Sequence, residues 1–205
     1  MNKSTVPKQL QLILIRHGHP EWPSPTLISL SQSEQLLADY DDAHLSKTGK
    51  KAISILASQL PKALILSSDL PRARETAEII VGGTEAIEFD PLLRELQPPR
   101  IATKPIDKLW APRVIWLLVR WCCWPLGIGE CVERPRVAWG RVAQVADKIF
   151  RYFETEEILI LVGHGWFMTL MALYLRWCGA IEHGPFIPKT GYGAVSKYIL
   201  RAKAA

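Results

Sequence analysis

The sequence predicts an α/β fold, a three-layer sandwich in which a mostly parallel sheet is covered by helices. Three short apolar runs predict the sheet, because each is followed by a break and then by helical periodicity; they occupy residues 10–15, 63–68 and 158–163. Continuous apolar runs of this length are typical of strands that are buried on both faces. Their alternation with helices favours a parallel sheet.

The helices follow in chain order. Residues 45–60 are predicted to form a helix that is capped by Ser46, whose hydroxyl suits an N-cap. Ile53, Leu56 and Leu60 then repeat at the three- and four-residue spacing of one helix face. Further helices are predicted over residues 73–81, 136–153 and 166–178. The last of these is apolar on nearly every side, so we expect it to be mostly buried.

The stretch 97–128 holds five prolines and is predicted as an irregular insertion or cap on a single domain that spans residues 1–205. Its Trp-rich segment (residues 110–124) is interpreted first as core or interface, which includes self-association between copies, and second as a substrate lid. Arg120 interrupts the apolar run within it, and this run is shorter than the roughly 20 residues of a membrane-spanning helix. Contact with a membrane surface is therefore the least favoured interpretation.

The composition limits the classes of function. The chain has 25 Lys and Arg against 20 Asp and Glu, a formal charge of +5, and its mean hydropathy is +0.06. These values are ordinary for a globular protein and exclude wholesale disorder. The positive charge is spread along the chain, so it permits nucleic-acid binding without arguing for it, and a small anionic substrate fits equally well. Of the two, we expect a small phosphorylated substrate and no nucleic-acid partner. Four cysteines whose spacing matches no zinc pattern indicate reduced thiols in a cytoplasmic protein.

Basic residues directly follow each of the three predicted strands. Arg16 and His17 follow the first strand, Arg72 opens the helix after the second, and His164 follows the third. The carboxyl ends of parallel strands share one edge of an open sheet, and ligands bind at that edge. The topology therefore predicts that two arginines and two histidines meet at one place.

This set of side chains suits phosphoryl transfer. A guanidinium is a planar, permanently charged fork that fits phosphate oxygens. A neutral imidazole can attack phosphorus, and a second imidazole, if protonated, adds positive charge where the transferring group is most negative. Gly18 and Gly165 beside the histidines let backbone and ligand approach closely. We expect neither a metal ion nor a cofactor for this chemistry.

Four motifs occur in an order that resembles one known family. They are LILIRHG at 12–18, LSKTGKKA at 45–52, SSDLPRARETA at 67–77 and VGHG at 162–165. In sequence and separation they resemble the histidine phosphatase superfamily, also called phosphoglycerate-mutase-like. The resemblance covers almost all of residues 10–178 and implies the phosphoglycerate-mutase-like fold.

The resemblance also implies roles for individual residues. His17 would carry the phosphoryl group as phosphohistidine, and Arg16, Arg72 and His164 would form the phosphate pocket. The stretch PLLRELQPP (91–99) is similar to the family segment whose carboxylate protonates the leaving oxygen, which implies that role for Glu95. Glu130, in a Gly-Glu-Cys stretch, is the alternative acid.

Departures from the mutase pattern favour a phosphatase. His19 and Pro23 stand where mutases of the family carry Glu and Asn, whereas Trp22 matches and is assigned to substrate binding. His19 is open to three interpretations: a pocket residue, a structural loop residue, or a metal ligand together with His17. The implied activity is metal-independent hydrolysis of a small phosphomonoester. A phosphoglycerate-type mutase and a catalytically weak phospho-ligand binding module remain the alternatives.

Overall fold

The computed structural model describes residues 9–23, 25–82, 87–101, 108–130 and 133–201. The elements in chain order are β1 (Gln9–Arg16), β2 (Leu27–Ser29), α1 (Leu30–Asp41), α2 (Lys47–Ala57), β3 (Leu64–Ser67), α3 (Pro71–Val81), β4 (Ile87–Phe89), β5 (Trp110–Pro112), α4 (Arg113–Cys123), α5 (Pro135–Arg151), β6 (Ile158–Gly163), α6 (Gly165–Trp177), β7 (Ile181–His183) and β8 (Val195–Arg201). Short 3₁₀ turns lie at Pro91–Leu93 and Tyr152–Glu154.

The central sheet has six strands in the order β4-β3-β6-β1-β8-β7. The four strands from β4 to β1 run parallel, and β8 pairs antiparallel with β1. The register of β1 with β6 places Arg16 opposite Gly163, and the His17 amide donates to the Gly163 carbonyl at 3.0 Å. This register brings the two strand exits that carry histidines side by side, as the sequence predicts.

Helices cover both faces of the sheet, which confirms the predicted three-layer α/β architecture. Alternate residues of β1 point to opposite faces, as strand geometry requires. Leu12 and Leu14 join the core under α5 and α6, whereas Ile13 and Ile15 join the core that α3 contributes to. The predicted α2 begins after Ser46, whose hydroxyl accepts a hydrogen bond from the Gly49 amide at 3.0 Å.

The stretch 97–128 is more regular than predicted, because it contains β5 and α4. Strand β5 pairs antiparallel with β2, and the Trp116 indole donates to the Ile28 carbonyl at 3.0 Å. The buried Arg120 donates to the Pro99 carbonyl at 2.8 Å and to the Ser33 hydroxyl at 2.9 Å. These contacts join segments distant in sequence, so local patterns did not indicate them.

Helix α1 was also missed. The Ser29 hydroxyl and the Gln32 side chain form a reciprocal capping box at its start. None of the helices within the described ranges has the length and apolar character needed to cross a membrane.

Candidate active site

The two predicted histidines meet at the carboxyl edge of the sheet. His17 follows β1 and His164 follows β6, and their ring centroids lie 5.1 Å apart. Both side chains are buried, as is that of Arg72 at the start of α3. Arg16, the last residue of β1, lies beside them and completes the cluster of two imidazoles and two guanidiniums.

His17 is oriented by its own backbone. Its Nδ1 lies 2.8 Å from the Gly18 carbonyl oxygen, which can only accept, so the proton resides on Nδ1. Nε2 therefore carries a lone pair, and the Tyr40 hydroxyl lies 3.3 Å from it. Burial, with a further contribution from Arg72, lowers the pKa of His17 well below its ordinary value. The imidazole is thus neutral and nucleophilic at neutral pH.

His164 is held by a serine from the neighbouring strand exit. Its Nε2 lies 2.9 Å from the Ser68 hydroxyl, and its Nδ1 is buried without a hydrogen-bond partner. Burial, followed by the neighbouring His17 and Arg72, lowers the pKa of His164 well below its ordinary value. If Ser68 donates to Nε2, the proton resides on Nδ1 and provides a free N–H donor in the site.

The two arginines are each fixed by backbone carbonyls and covered by a tyrosine. The Arg16 guanidinium lies 4.2 Å from the ring centre of Tyr192 and donates to the Thr190 carbonyl. The Arg72 guanidinium lies 4.0 Å from the ring centre of Tyr40 and donates to the Tyr40 carbonyl. In both arginines the Nε atom is buried without a hydrogen-bond partner.

Three buried nitrogen atoms of the cluster therefore have no partner: Nε of Arg16, Nε of Arg72 and Nδ1 of His164. Buried donors are almost always satisfied in folded proteins, since an unpaired one costs about 1–3 kcal/mol. Unpaired donors on two permanent cations, beside an unpaired imidazole nitrogen, indicate a site that suits an anion.

Glu95 lies beside this cluster at the start of α6. One carboxylate oxygen accepts from the amides of Phe167 at 2.9 Å and Leu96 at 3.0 Å, and the other lies 3.4 Å from the Trp166 amide. Burial raises the pKa of Glu95, although the three amides and Arg16 oppose the rise. A carboxyl group with a raised pKa is suited to give and take a proton near neutral pH.

Of the glycines predicted for the site, Gly18 lies where close approach is needed. A Cβ on Gly18 would lie 2.8 Å from Ile53 Cγ1, and one on Gly165 would lie 3.5 Å from Arg16 Nε. A side chain at residue 18 would thus disturb the loop that carries His17. A Cβ at residue 165 would only reach ordinary van der Waals contact with Arg16.

The remaining predicted residues lie at different distances from the cluster. Trp22 lines the cavity next to it and packs edge-on against Tyr40, with ring centres 4.8 Å apart. His19 is exposed, with its ring centre 5.0 Å from that of Tyr192. Glu130, the alternative acid, is exposed and outside the residues that line the cavity. Over the described ranges, no three His, Cys, Asp or Glu side chains are grouped so that they could hold a metal ion.

Sequence reasoning missed Tyr40, Tyr192 and Ser68. The two tyrosines come from α1 and from the loop before β8, and neither is marked by a motif or by regular spacing. Ser68 could have been found, because it directly follows β3 and therefore shares the sheet edge with His17 and His164.

Comparisons with known proteins agree with this geometry. The sequence profile of the histidine phosphatase superfamily (branch 1) matches residues 12–198. The probable phosphoglycerate mutase GpmB of Escherichia fergusonii is 33% identical over 111 residues, which are 52% of this chain and 47% of that protein. The chain thus matches about half the length of this curated relative.

Solved structures share the fold. The open reading frame product Rv3214 of Mycobacterium tuberculosis superposes with a TM-score of 0.61 at 17% identity, over 96% of both chains. A mycobacterial glucosyl-3-phosphoglycerate phosphatase superposes with a TM-score of 0.55 at 19% identity, over 82% of this chain and 79% of the other. The profile match over most of the chain, together with the fold, shows that this protein belongs to the histidine phosphatase superfamily.

Proposed function

We propose that the protein is a phosphomonoesterase that works through a phosphohistidine at His17. The observation that carries the proposal is the pair of unpaired buried donors on Arg16 and Arg72, together with the unpaired Nδ1 of His164, around the neutral His17 imidazole. These groups can hold three phosphate oxygens while Nε2 of His17 faces phosphorus. To let phosphorus reach Nε2, the Tyr40 hydroxyl must move away from this nitrogen.

The reaction has two displacements. In the first, Nε2 of His17 forms a bond to phosphorus, the bond from phosphorus to the alcohol oxygen breaks, and protonated Glu95 gives its proton to that oxygen. In the second, a water molecule attacks phosphorus and gives a proton to the Glu95 carboxylate. The bond from phosphorus to nitrogen breaks, its electron pair returns to Nε2, and inorganic phosphate leaves. Glu95 is again protonated for the next cycle.

Trapping the intermediate tests this proposal. Brief incubation with a ³²P-labelled phosphomonoester, followed by denaturation, should leave label on the protein that is stable to base and released by acid. His17→Ala should abolish both the label and turnover, whereas His183→Ala, at an exposed histidine of β7, should keep both. Phosphate binding that depends on Arg16 and Arg72 without turnover of any substrate would instead show a binding module.

A mutase is the second candidate, because the matched relative carries that name. A mutase returns the phosphoryl group to a hydroxyl of its substrate, whereas a phosphatase transfers it to water. Incubation with 3-phosphoglycerate and 2,3-bisphosphoglycerate, followed by ³¹P NMR, separates the two. We expect no 2-phosphoglycerate to form; accumulation of 2-phosphoglycerate without inorganic phosphate would identify a mutase.

A further inference from the structure

A cavity of about 470 Å³ opens from the candidate active site. Arg16, Glu95 and Tyr192 line the end at the reacting groups, and the cavity continues between α1 and α4. Its volume lies within the range of about 300–1,000 Å³ that is usual for small-molecule sites. The alcohol part of a phosphomonoester whose phosphate lies at His17 would extend into this space.

Carbon atoms dominate the walls of this cavity. Apolar side chains from α1 and α4 face each other across it, among them Leu36, Leu37, Val114 and Leu117. Aromatic rings of Trp22, Trp121 and Trp166 extend the apolar surface, and the last two stack with centres 4.2 Å apart. Such walls favour an apolar ligand, because a polar one would lose its water and gain few hydrogen bonds from these carbon atoms.

Arg113 and Arg120 also line the cavity, and protein groups hold Arg120, although its Nε and the Trp121 indole nitrogen are buried without a hydrogen-bond partner. Arg120 is buried and pairs with Glu34 at 3.3 Å, in addition to its bonds to the Pro99 carbonyl and the Ser33 hydroxyl. The Arg113 guanidinium lies 5.0 Å from the ring centre of Trp22. The bonds of Arg120 also fix α4 against α1, so that the cavity is formed before a ligand binds.

We propose that the cavity selects phosphomonoesters of apolar alcohols, with an alkyl chain or an aromatic ring system of several carbons in place of a sugar or an amino acid. This inference rests on the proposed function, since the phosphate group must lie at His17 for the alcohol part to enter the cavity. It adds the substrate class, which neither the family nor its named members define for this chain.

A series of primary alkyl phosphates tests the substrate class, because all members share one type of leaving group. From methyl to octyl phosphate, below the micellar concentration, kcat/KM should rise by about fourfold for each methylene group that becomes buried. Phosphoserine and glycerol 3-phosphate should react no faster than methyl phosphate. Equal kcat/KM across the alkyl series, or faster turnover of the polar esters, would overturn the inference.

Two neighbouring leucines of α4 provide a matched pair of variants. Leu117 lines the cavity and is 38% exposed, whereas Leu118 is 56% exposed and is not among the residues that line it. Leu117→Gln should flatten the rise of kcat/KM with chain length, and lower the value for octyl phosphate by about tenfold. Leu118→Gln should leave the whole series unchanged. A rise that Leu117→Gln leaves intact would assign the preference to another surface and overturn the proposal.

The outcomes separate the two proposals. Turnover of methyl phosphate through acid-labile phosphoprotein, without a gain with chain length, would overturn the substrate class and leave the proposed function standing. If no ester is turned over and no phosphoprotein forms, the proposed function fails. Calorimetric titration of His17→Ala with octyl phosphate and with phosphoserine then still tests the cavity, since tighter binding of octyl phosphate is expected and equal binding would overturn the inference.

Discussion

The substitution Glu95→Gln separates the chemical role of this side chain from its structural role. The Glu95 oxygen that accepts from Phe167 and Leu96 can be replaced by the amide oxygen of glutamine with the same bonds. The amide nitrogen then takes the position of the second oxygen, whose only amide contact, to Trp166, is long at 3.4 Å. We therefore expect the variant to fold and to bind phosphate normally, but to lack the proton.

The size of the effect should depend on the leaving group. General acid catalysis contributes about 10²–10⁴-fold in rate, so an alkyl phosphate, whose alkoxide leaves badly, should lose that factor. 4-Nitrophenyl phosphate has a leaving group that departs without a proton, so its phosphorylation of His17 should slow by less than about tenfold. The ratio of the two losses, rather than either one alone, identifies Glu95 as the acid.

The pH dependence of the phosphorylation rate tests the role of Glu95 independently. Because burial raises the pKa of Glu95, the acid form persists to higher pH than for an exposed carboxyl. Single-turnover phosphorylation by an alkyl phosphate should therefore decline as the pH rises through this raised pKa, and Glu95→Gln should abolish that decline. Glu130→Gln, at the exposed alternative acid, should behave as the unaltered protein. Equal losses for both leaving groups, or an unchanged decline in Glu95→Gln, would refute the assignment.

Three further predictions concern the groups around His17. Tyr40→Phe removes the hydroxyl that lies 3.3 Å from Nε2 of His17, so rapid-quench phosphorylation should speed up by about two- to tenfold; a slower reaction would instead show that this hydroxyl holds phosphate. Arg72→Lys keeps the charge but loses the free Nε–H donor, so kcat/KM should fall by about ten- to a hundredfold, and an unchanged value would contradict the anion site. Because burial lowers the pKa of His164, the unfolded chain binds a proton at this residue as the pH falls below about 6.5, whereas the folded protein does not. The free energy of unfolding should therefore decrease by up to about 1.4 kcal/mol per pH unit from this group. In urea unfolding from pH 7.5 to 5, His164→Gln should weaken that decrease and His183→Gln, at an exposed position, should not; equal slopes in both variants would contradict the prediction.

The sheet edge was predictable because it depends on local signals. Three apolar runs identify strands, and parallel pairing then requires their carboxyl ends to lie side by side. The prediction of Arg16, His17, Arg72 and His164 follows from that one rule, and the register of β1 with β6 places the ends of these two strands side by side. The family resemblance added Glu95, whose place beside α6 no spacing in the sequence indicates.

The surroundings of the site were not predictable in the same way. Tyr192 reaches Arg16 because the Gly193 amide donates to the Arg16 carbonyl at 3.1 Å, while the Arg16 amide donates to the Ala194 carbonyl at 3.1 Å. Tyr40 lies at the end of α1. The capping box at Ser29 can be recognised in the sequence, but the apolar periodicity of this helix is weak, so the sequence did not predict it. Contacts of this kind depend on how distant segments pack, which hydrophobic patterns do not specify.

Arg16 and Arg72 contribute their hydrogen-bonding geometry to the site as well as their positive charge, which distinguishes them from lysine. Each guanidinium offers five N–H donors in a fixed fork. In Arg72 one arm donates to backbone carbonyls at the end of α1, and in Arg16 one arm donates to Thr190, so both forks are already held in place. In each case the Nε–H is buried and has no hydrogen-bond partner. One side chain thus both positions itself and retains a donor for the anion, so that phosphate can bind without breaking the bonds that orient the fork. Lysine has the charge and three donors, but they share one nitrogen on a flexible chain and do not form a rigid fork.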